Sequence, residues 1–427
     1  MEFYTEPSRQ LPIAGEYDVI VAGSGPAGVI AAITAARLGV RVLLVESNNT
    51  VGGISTSGLM SHFTGTVDSR AYYEVLSRMA DANEGDAHGK ITKYIDPEKL
   101  KNIYLDMLRD AGVDMIFCTF VCGAVMDGNR IRGIITESKS GRRVYSASVF
   151  VDGTGDGDVA YHSGAAFDKG RESDGKMQPC TLMFKVGGVD YSRAVFIPSF
   201  ETTYQTPRGE LQALAREHIP YPAGHILTYP SPLPGIVTCN MTNCTDIDGT
   251  LAEDLTKAEL VCRSQMPRIL EYLREFVPGY ENAYIISAGS MMGIRETRRF
   301  RGMYTLCEDD ILTARVFDDA VVRGALFNFD VHNISGAGLD KTGVQAKFTQ
   351  RNGYTIPYRC LIPEKTDGLL LSGRCISGTH IAHSNYRVMP ICMGIGEAAG
   401  AAAALAVKNG LLPRDVAAAD VQRELGM

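Results

Sequence analysis

Residues 18–46, DVIVAGSGPAGVIAAITAARLGVRVLLVE, decide the fold of this chain. The apolar run from Asp18 to Ala22 predicts a buried strand, and the alanine-rich stretch from Pro26 to Leu38 predicts a helix. A second apolar run, over 40–45, predicts another buried strand that ends at Glu46. A strand, a helix and a second strand in this order form a β-α-β unit, which indicates an α/β protein with parallel strands.

The turn between the first strand and the helix carries the spacing G-x-G-x-x-G. In this spacing the first glycine makes a tight turn, the second lets a pyrophosphate approach the backbone, and the third lets the helix pack closely on the strand. The free N–H groups of the helix N-terminus suit a diphosphate, and an acid at the end of the second strand can accept from ribose hydroxyls. The residues predicted to bind a dinucleotide here are Gly23, Gly25, Pro26, Ala27, Gly28 and Glu46.

A glycine pair, Gly52 and Gly53, follows the acid after a few residues. At this point the chain resembles the flavoproteins whose FAD fold is shared with glutathione reductase and fumarate reductase. The resemblance implies that the dinucleotide is FAD and that the glycine pair lets the backbone pass close to its adenosine and pyrophosphate. His62 does not have the spacing of the histidine that attaches FAD covalently in fumarate-reductase-like relatives, so we expect non-covalent FAD.

Length, composition and charge restrict the class of protein. The 427 residues are too many for one simple core and suit two domains that share a large interior. Hydrophobic residues make up 45% and charged residues 21%, as in ordinary globular proteins. The net charge of −7 argues against a nucleic-acid or anionic-membrane partner. Because neither a signal peptide nor a membrane-spanning run is evident, we expect a cytoplasmic protein.

The ten cysteines show no metal-binding or disulfide pattern. Cys118 and Cys122 fall in one predicted strand, where they share a face but lie too far apart to bridge. Cys239 and Cys244 have the C-x4-C spacing of the flavin disulfide reductases, but in those enzymes the pair follows the first β-α-β unit. We therefore interpret the cysteines as ordinary thiols and predict no metal site.

The next part of the chain predicts further elements of the same domain. Helices are expected over 71–82 and 96–111, and a strand hairpin over 113–136. A strand over 144–152 then runs into the cluster GTGDGD at 153–158, which matches the second element of the FAD fold. Its third glycine is misplaced for another G-x-G-x-x-G, so we predict no second dinucleotide site.

The central third of the chain lacks a β-α-β repeat. It predicts strands over 181–187 and 284–288 and a long polar helix over about 251–277. We therefore predict an α/β, Rossmann-like FAD-binding domain of the glutathione-reductase type, into which an α+β substrate domain is inserted. The predicted boundaries are 1–160 and 350–427 for the FAD-binding domain and 161–349 for the substrate domain.

The C-terminal block over 366–409 is the second informative stretch. A predicted buried strand, 369–371, ends at Gly373, and an alanine-rich helix begins near Met389. Glycines inside this helix indicate the close approach of another group, since each costs about 1 kcal/mol relative to alanine. The helix N-terminus can face the pyrimidine edge of the flavin ring, where it favours negative charge.

Several segments together resemble the bacterial family of FAD-dependent oxidoreductases: GSGPAG, Glu46, Gly52-Gly53, GIRETRR, YRCLIP, SGRCIS-x-TH-x-A and RVMPICMGIGEAAG. The resemblance covers both ends of the chain, and GIRETRR and FDVHN carry it into the central third. Many FAD-fold relatives place an acid just after the last strand glycine, where this chain has Arg374, so either Asp156 or backbone groups would hold the ribityl chain. From this resemblance we predict four further FAD-binding residues: Asp156, Gly373, Arg374 and Met389.

The candidate catalytic residues follow from where a substrate must lie. The loop from Gly373 to Arg387 joins the last predicted strand to the last helix, so we expect it beside the flavin ring. A histidine there can donate or accept a proton, and an arginine can bind an anionic group in a bidentate manner. We favour His380 for the proton. The predicted catalytic residues are His380, His383, His332, Arg295 and Arg387.

Each of these residues also has a structural interpretation. A histidine in a polar segment can bond to backbone groups alone. Arg298 and Arg299, which share the Arg-rich segment 292–302 with Arg295, can lie on a solvated or ion-paired helix face. Tyr354 and Tyr358 are further polar candidates.

The sequence thus predicts an FAD-dependent oxidoreductase that transfers a hydride between flavin N5 and a small, anionic organic molecule. Two alternatives stay open: a flavin enzyme without net redox chemistry, such as a hydratase or isomerase, and a flavin-binding subunit that passes electrons to a partner. The expected partner is a small-molecule substrate. The sequence leaves open whether the chain also associates with a second copy or with a redox protein.

Overall fold

The computed structural model of the chain describes residues 2, 4–82, 93–340, 350 and 352–427. The strands are β1 (Ile13–Ala22), β2 (Val42–Val45), β3 (Thr66–Asp68), β4 (Asp114–Ile116), β5 (Phe120–Asp127), β6 (Arg130–Glu137), β7 (Arg143–Asp152), β8 (Phe167–Lys169), β9 (Phe184–Gly187), β10 (Gln205–Thr206), β11 (Gly209–Glu210), β12 (Thr228–Pro230), β13 (Val237–Cys239), β14 (Tyr284–Ala288), β15 (Arg298–Phe300), β16 (Ala320–Leu326), β17 (Tyr354–Pro357) and β18 (Leu369–Leu371). The helices are α1 (Pro26–Arg37), α2 (Arg70–Ala82), α3 (Pro97–Asp110), α4 (Asp158–His162), α5 (Leu211–His218), α6 (Ala252–Phe276), α7 (Glu308–Leu312), α8 (His380–Tyr386), α9 (Met389–Asn409) and α10 (Ala418–Leu425).

The largest sheet has seven strands and contains the predicted β-α-β unit. β1 lies between β2 and β7 and is parallel to both, β4 extends the sheet beyond β2, and β18 lies parallel to β7. The hairpin of β5 and β6 adds an antiparallel edge. Because the carboxyl ends of parallel strands meet at one edge, the turns after β1, β2, β7 and β18 lie side by side, as in an FAD-binding domain of the Rossmann type.

Helix α1 packs directly on helix α9, and glycines in α9 make this possible. A Cβ atom on Gly396 would lie 2.1 Å from the carbonyl oxygen of Ala27, and one on Gly400 would lie 2.3 Å from the carbonyl oxygen of Ala31. A side chain at either position would therefore push the two helices apart. The predicted close approach inside the last helix is confirmed, and α1 begins beside the first turns of α9.

Helix α9 has the length and apolar composition of a membrane span, and it is the one such helix among the described residues. However, 83% of the most apolar stretch of this helix is buried inside the protein. Its contacts with α1 and with the sheet explain that composition, so we assign α9 to the protein core.

A second hydrophobic cluster surrounds the antiparallel sheet β12-β13-β9-β14 and helices α5 and α6. The residues of this cluster fall between Cys180 and Ile294. Phe300 and the core residues that follow it pack instead in the first cluster, with the main sheet. The predicted end of the substrate domain, at 349, lies outside the described residues, and the division into domains stays a prediction.

The prediction of a loop over 373–387 is wrong in part, because helix α8 forms within it. Thr379 caps this helix: its Oγ1 accepts from the backbone N–H of Ala382 at 3.1 Å. A threonine at this position is a typical helix-start signal, but the helix that follows it is too short to show a clear periodic pattern in the sequence.

Two further local interpretations are wrong. Arg298 and Arg299 do not lie on a helix face: they belong to strand β15, which pairs with β8. Cys118 and Cys122 do not share a strand, because Cys118 precedes β5 and has a φ of +52°.

Candidate cofactor and substrate site

A cavity of about 600 Å³ opens at the edge of the main sheet where β1, β2, β7 and β18 end. This volume lies within the usual range for small-molecule sites. The wall combines the glycine-rich turn after β1, the GTGDGD turn after β7, the N-terminus of α9, and residues near β9 and β13 such as Met183 and Asn240. Segments that lie far apart in the sequence therefore meet at one site.

The glycine-rich turn has the shape that a diphosphate requires. Gly23 has a φ of +86°, and a Cβ atom on Gly28 would lie 1.9 Å from the Gly23 carbonyl oxygen. Gly25 faces the cavity, and no atom lies within 4 Å of the position of its absent Cβ. Gly25 also precedes α1 without a side-chain cap, so the first N–H groups of the helix are available to a ligand. Gly53 passes close by, since its Cβ would lie 3.1 Å from Gly25 Cα.

Glu46 lies at the end of β2 and lines the cavity. Its Oε2 accepts from the backbone N–H and the hydroxyl of Ser24, at 2.7 and 2.6 Å. Its Oε1 accepts from the backbone N–H and side-chain amide of Asn48, at 2.7 and 2.8 Å, and from the Ser47 hydroxyl at 3.1 Å. A carboxylate accepts about four hydrogen bonds. Protein donors therefore occupy this carboxylate fully, and it links the glycine-rich turn to the turn after β2.

Asp156 and Arg374 form an ion pair on the cavity wall, with 2.6 Å between Arg374 Nη2 and Asp156 Oδ1. Thr297 Oγ1 also donates to Asp156 Oδ1, at 2.7 Å. Arg374 Nη1 is buried and has no hydrogen-bond partner. The arginine that departs from the family pattern thus stands beside Asp156, and both residues line the cavity.

Helix α9 begins at the same cavity, where Met389 and Cys392 contribute to the wall. Val388 precedes the helix without a side-chain cap. Gly373 lies next to both helix starts, because its Cβ would be 2.8 Å from Ala27 Cβ and 3.9 Å from Cys392 Sγ. Two helix N-termini, the open space at Gly25 and the unused Arg374 donor fit FAD, with its diphosphate at α1 and its ring edge at α9.

Asp330, His332 and Arg387 form a hydrogen-bonded group in another part of the wall. Asp330 Oδ2 accepts from His332 Nε2 at 3.2 Å and from Arg387 Nη2 at 3.0 Å. Burial and the positive charge of Arg295 lower the pKa of His332 to about 4, so its imidazole is neutral at pH 7. Burial acts to raise the pKa of Asp330, but the neighbouring His332, Arg387 and Arg295 outweigh it and hold that pKa well below its usual value.

Arg295 lines the cavity beside this group, and its Nη1 donates to the carbonyl oxygen of Pro179 at 2.7 Å. Burial and the charge of Arg387 lower the pKa of Arg295 to about 10, which leaves it protonated at pH 7. Within the described parts of the chain, no carboxylate lies at ion-pair distance from it. Among the described residues, the guanidinium thus has no ion-pair partner of its own, although the charge of Asp330 acts on it.

Two amide side chains complete this part of the site. Gln178 Oε1 accepts from the His332 backbone N–H at 3.2 Å and from Arg387 Nη2 at 3.4 Å, and its Nε2 is buried without a partner. Asn240 lines the cavity, and its side-chain oxygen makes no hydrogen bond of normal geometry, although the Tyr229 phenol lies near it. Sequence analysis missed Gln178, Asn240 and Asp330; the only signal was the position of Asp330 in the segment FDVHN.

His380 and His383 lie on α8 and do not line the cavity. His380 Nδ1 bonds to Glu296 Oε1 at 2.8 Å, and Glu296 is ion-paired with Arg299 in the same buried cluster. Both ring nitrogens of His383 are buried and find no partner in the part of the chain that the structure describes, and burial lowers the pKa of His383 well below the usual value. The structure therefore brings His332, Arg295 and Arg387 together at the cavity, whereas the side chains of the two α8 histidines lie outside its wall.

The other polar candidates bond to groups of the protein. The Tyr354 hydroxyl donates to Asn385 Oδ1 at 2.8 Å, and the Tyr358 hydroxyl donates to a backbone carbonyl at 2.7 Å. His62 bonds to the Ser61 hydroxyl at 2.8 Å and packs against the Tyr229 ring. Like His380 and His383, these three side chains are absent from the cavity wall.

Comparison with protein families matches residues 18–425 to the family described as FAD dependent oxidoreductase. Among curated proteins, a digeranylgeranylglycerophospholipid reductase of Methanococcoides burtonii is 28% identical over 133 residues, which are 28% of this chain and 33% of the relative. A soluble pyridine nucleotide transhydrogenase of Vibrio vulnificus is 29% identical over 150 residues, which are 33% of this chain and 31% of the relative. The chain thus matches about a third of the length of these curated relatives.

Solved structures share the overall fold at low sequence identity. The p-nitrophenol 4-monooxygenase of Pseudomonas putida superposes with a TM-score of 0.51 at 13% identity, over 96% of this chain and 84% of that one. A geranylgeranyl bacteriochlorophyll reductase-like protein of Thermoplasma acidophilum gives a TM-score of 0.50 at 13% identity, over 96% and 82%. Both likenesses concern the fold alone.

Proposed function

The chain belongs to the FAD dependent oxidoreductase family, and from this premise we propose that it transfers a hydride between flavin and a small anionic substrate held by Arg295. Membership of the family establishes FAD as the cofactor and oxidation or reduction as the class of reaction. When bound, FAD supplies the acceptance or donation of a hydride, with its two electrons, at N5. The nature of the substrate and the roles of the residues around it are the proposal.

The observation that carries the proposal is that no acid among the described residues lies at ion-pair distance from Arg295. Three other arginines line the cavity, and each has an acid: Arg298 pairs with Asp158, Arg374 with Asp156 and Arg387 with Asp330. Arg295 has none among the described residues. A partly buried, unpaired guanidinium is unfavourable until an anion neutralises it, and its planar donors suit a carboxylate.

His332 is the group that we propose handles the proton. Because the Asp330 carboxylate can only accept, Nε2 of His332 carries the hydrogen and Nδ1 is left as an acceptor. A carboxylate bound at Arg295 would neutralise one of the charges that lower the pKa of His332, so binding of substrate makes the imidazole a better base. Asp330 then stabilises the imidazolium. His332 therefore replaces His380 as the favoured group.

We also propose that the two hydrophobic clusters correspond to an FAD-binding and a substrate-binding domain. The first supplies the glycine-rich turn, Asp156 and the start of α9, which would hold the diphosphate, ribityl chain and ring edge of FAD. The second cluster supplies the part of the cavity wall at Asn240, which follows β13, and Arg295 directly follows the last residue of that cluster. The two domains would therefore meet at the substrate.

Anaerobic titration of the FAD-loaded protein with small carboxylates tests this function. The carboxylate series should include one that perturbs and then bleaches the flavin absorbance, and Arg295→Gln should weaken its binding about 30-fold or more, since unpairing a buried charge costs about 2 kcal/mol or more. Arg301→Gln, an exposed control paired with Asp168, should bind like the unmodified protein.

Equal carboxylate binding by Arg295→Gln and the unmodified protein would contradict the proposal. Binding followed by turnover without bleaching would instead indicate a flavin enzyme without net redox chemistry. Reduction that needs a second protein would indicate an electron-transfer subunit.

A further inference from the structure

Resting on the proposed function, we infer that the substrate is a 2-hydroxy acid with a single negative charge, or the 2-oxo acid that forms from it. Its carboxylate binds Arg295, its hydroxyl group lies against His332, and Asn240 borders the same space. These three side chains line the same cavity.

Contacts around the cavity wall place these residues together. The Phe200 ring contacts both His332 and His225, with ring centroids 5.6 and 5.1 Å apart. His225 Nε2 bonds to the backbone carbonyl of Asn240 at 2.9 Å, and the charge of Arg295 acts on both histidines. The charge of Arg295 therefore reaches His332, and Asn240 borders the same cavity beside His225.

The charges in this part of the wall leave an excess of one positive charge. Arg295 and Arg387 each contribute +1 and Asp330 contributes −1, while burial keeps His332 and His225 neutral by lowering their pKa values to about 4 and about 3. A largely buried charge without compensation is costly. A monoanion removes the excess, whereas a dicarboxylate over-compensates it and a zwitterionic amino acid leaves it in place.

The unused hydrogen-bonding groups agree with a hydroxyl rather than an ammonium group. A hydroxyl group can donate to His332 Nδ1, the ring nitrogen that Asp330 leaves as an acceptor. An ammonium group would instead add a positive charge beside Arg295 and Arg387, and the carboxylate of Asp330 is already held by His332 and Arg387. Among the described residues in this part of the wall, the amino group of an amino acid would find no carboxylate without a partner.

Oxidation of such a substrate balances with the groups present. The bond between C2 and its hydrogen breaks, and the hydride leaves with both electrons to the flavin. The hydroxyl proton passes to His332 Nδ1, and the C2–O bond becomes a carbonyl. The product is the 2-oxo acid, still a monoanion on Arg295.

A matched panel of ligands tests this assignment on the FAD-loaded protein. The hydroxy acids are lactate and 2-hydroxyhexanoate, both enantiomers of each. Alanine and norleucine supply the zwitterions, tartronate and 2-hydroxyadipate the dianions, and propane-1,2-diol and hexane-1,2-diol the uncharged analogues. Dissociation constants come from the perturbation of the flavin absorbance, and anaerobic bleaching is recorded separately.

At least one hydroxy acid should bind about tenfold or more tightly than the zwitterion and the dianion of matched length, a difference of about 1.4 kcal/mol, and should bleach the flavin. The diols should not perturb the spectrum. Asn240→Asp adds a negative charge to the wall and should reduce or reverse the preference for hydroxy acid over amino acid, while Asn240→Ala adds no charge and should leave that preference in place.

An amino acid or dianion that binds as tightly as its hydroxy acid overturns the inference. If Arg295→Gln abolishes that binding and the bound anion bleaches the flavin, the proposed function stands while the hydroxy acid assignment falls. If no anion in the panel perturbs the flavin, both fall.

Discussion

At the scale of single residues, Gly25 offers a direct test of cofactor binding. Its absent Cβ points into open cavity space, next to the first N–H groups of α1. Gly25→Val should therefore abolish FAD binding, because the branched side chain would occupy the space of the diphosphate. The purified variant should be colourless and take up no FAD on reconstitution. Gly128→Ala, at a glycine in the β5–β6 turn that also faces open space, should still bind FAD.

A second residue-scale prediction separates His332 from His380. His332→Gln should keep its FAD but slow the reductive half-reaction by about 10²-fold or more, the usual effect of losing acid–base help. His380→Ala should leave that rate nearly unchanged, because His380 bonds to Glu296 away from the cavity. Stopped-flow absorbance of the flavin gives both rates. The reverse order of effects would restore His380 as the proton-handling group.

The same residues show where sequence reasoning ends. GIRETRR supplies Arg295, Arg298 and Arg299 within a few positions, and nothing local distinguishes them. In the folded chain, Arg298 pairs with Asp158 on α4 and Arg299 pairs with Glu296, whereas Arg295 faces the cavity. These differences depend on the fold and are not evident in the local sequence. Similarly, Glu46 was recognisable as a strand-end acid, but its saturation by protein donors depends on the exact course of two turns.

At the scale of elements, the contact between α1 and α9 determines the geometry of the cofactor site. Gly400→Ala should destabilise the protein by about 1–3 kcal/mol, because the added methyl group meets the Ala31 carbonyl oxygen and the backbone must shift. Helix propensity alone predicts the opposite sign, a gain of about 1 kcal/mol. Urea unfolding of the FAD-loaded protein measures the difference.

A matched control for this effect is Thr256→Ala on the exposed surface of α6, where alanine is also the better helix former. This variant should be neutral or slightly more stable. If Gly400→Ala proved equally stable, the glycines of α9 would not be needed for packing against α1.

The elements with strong local signals were predictable from the sequence. The β-α-β unit, the hairpin of β5 and β6, β14 and the long helix α6 all appear close to their predicted positions. Short elements such as α8 and β15 were not, since their form depends on a capping contact or on pairing with a strand distant in the sequence. The role of α9 as a core helix could be inferred from its glycines.

At the scale of the whole molecule, the site draws on distant parts of the chain, and burying so many polar groups affects stability. Burial lowers the pKa of His62 and His332 to about 4 and of His225 to about 3, and it holds the pKa of His383 well below its usual value. The unfolded chain takes up protons at these histidines below about pH 6.5, and the folded chain does not. Stability should therefore fall as the pH drops from about 6.5 to about 4.

Replacement of His383 isolates one contribution to this pH dependence. His383→Leu removes a buried imidazole whose nitrogens have no partner, so the fall in unfolding free energy between pH 6.5 and 5 should become shallower, by up to about 1.4 kcal/mol per pH unit. Burial and the nearby Asp152 and Asp156 raise the pKa of Asp158 to about 6, so Asp158 affects the pH dependence of stability in the opposite sense. Because both proteins contain Asp158, its effect cancels in the comparison. Urea unfolding across this pH range provides the comparison, with His218→Leu as an exposed control. An unchanged slope in His383→Leu would show that His383 is protonated in the folded protein.

A crystal structure of the FAD-loaded chain tests most directly whether one cavity holds both cofactor and substrate. The diphosphate should lie at the N-terminus of α1 beside Gly25, the flavin ring should meet the N-terminus of α9, and the Arg295 guanidinium and His332 should face the reactive side of the ring across a small pocket. Flavin electron density elsewhere, or an Arg295 paired with an acid and turned away from the ring, would contradict this arrangement.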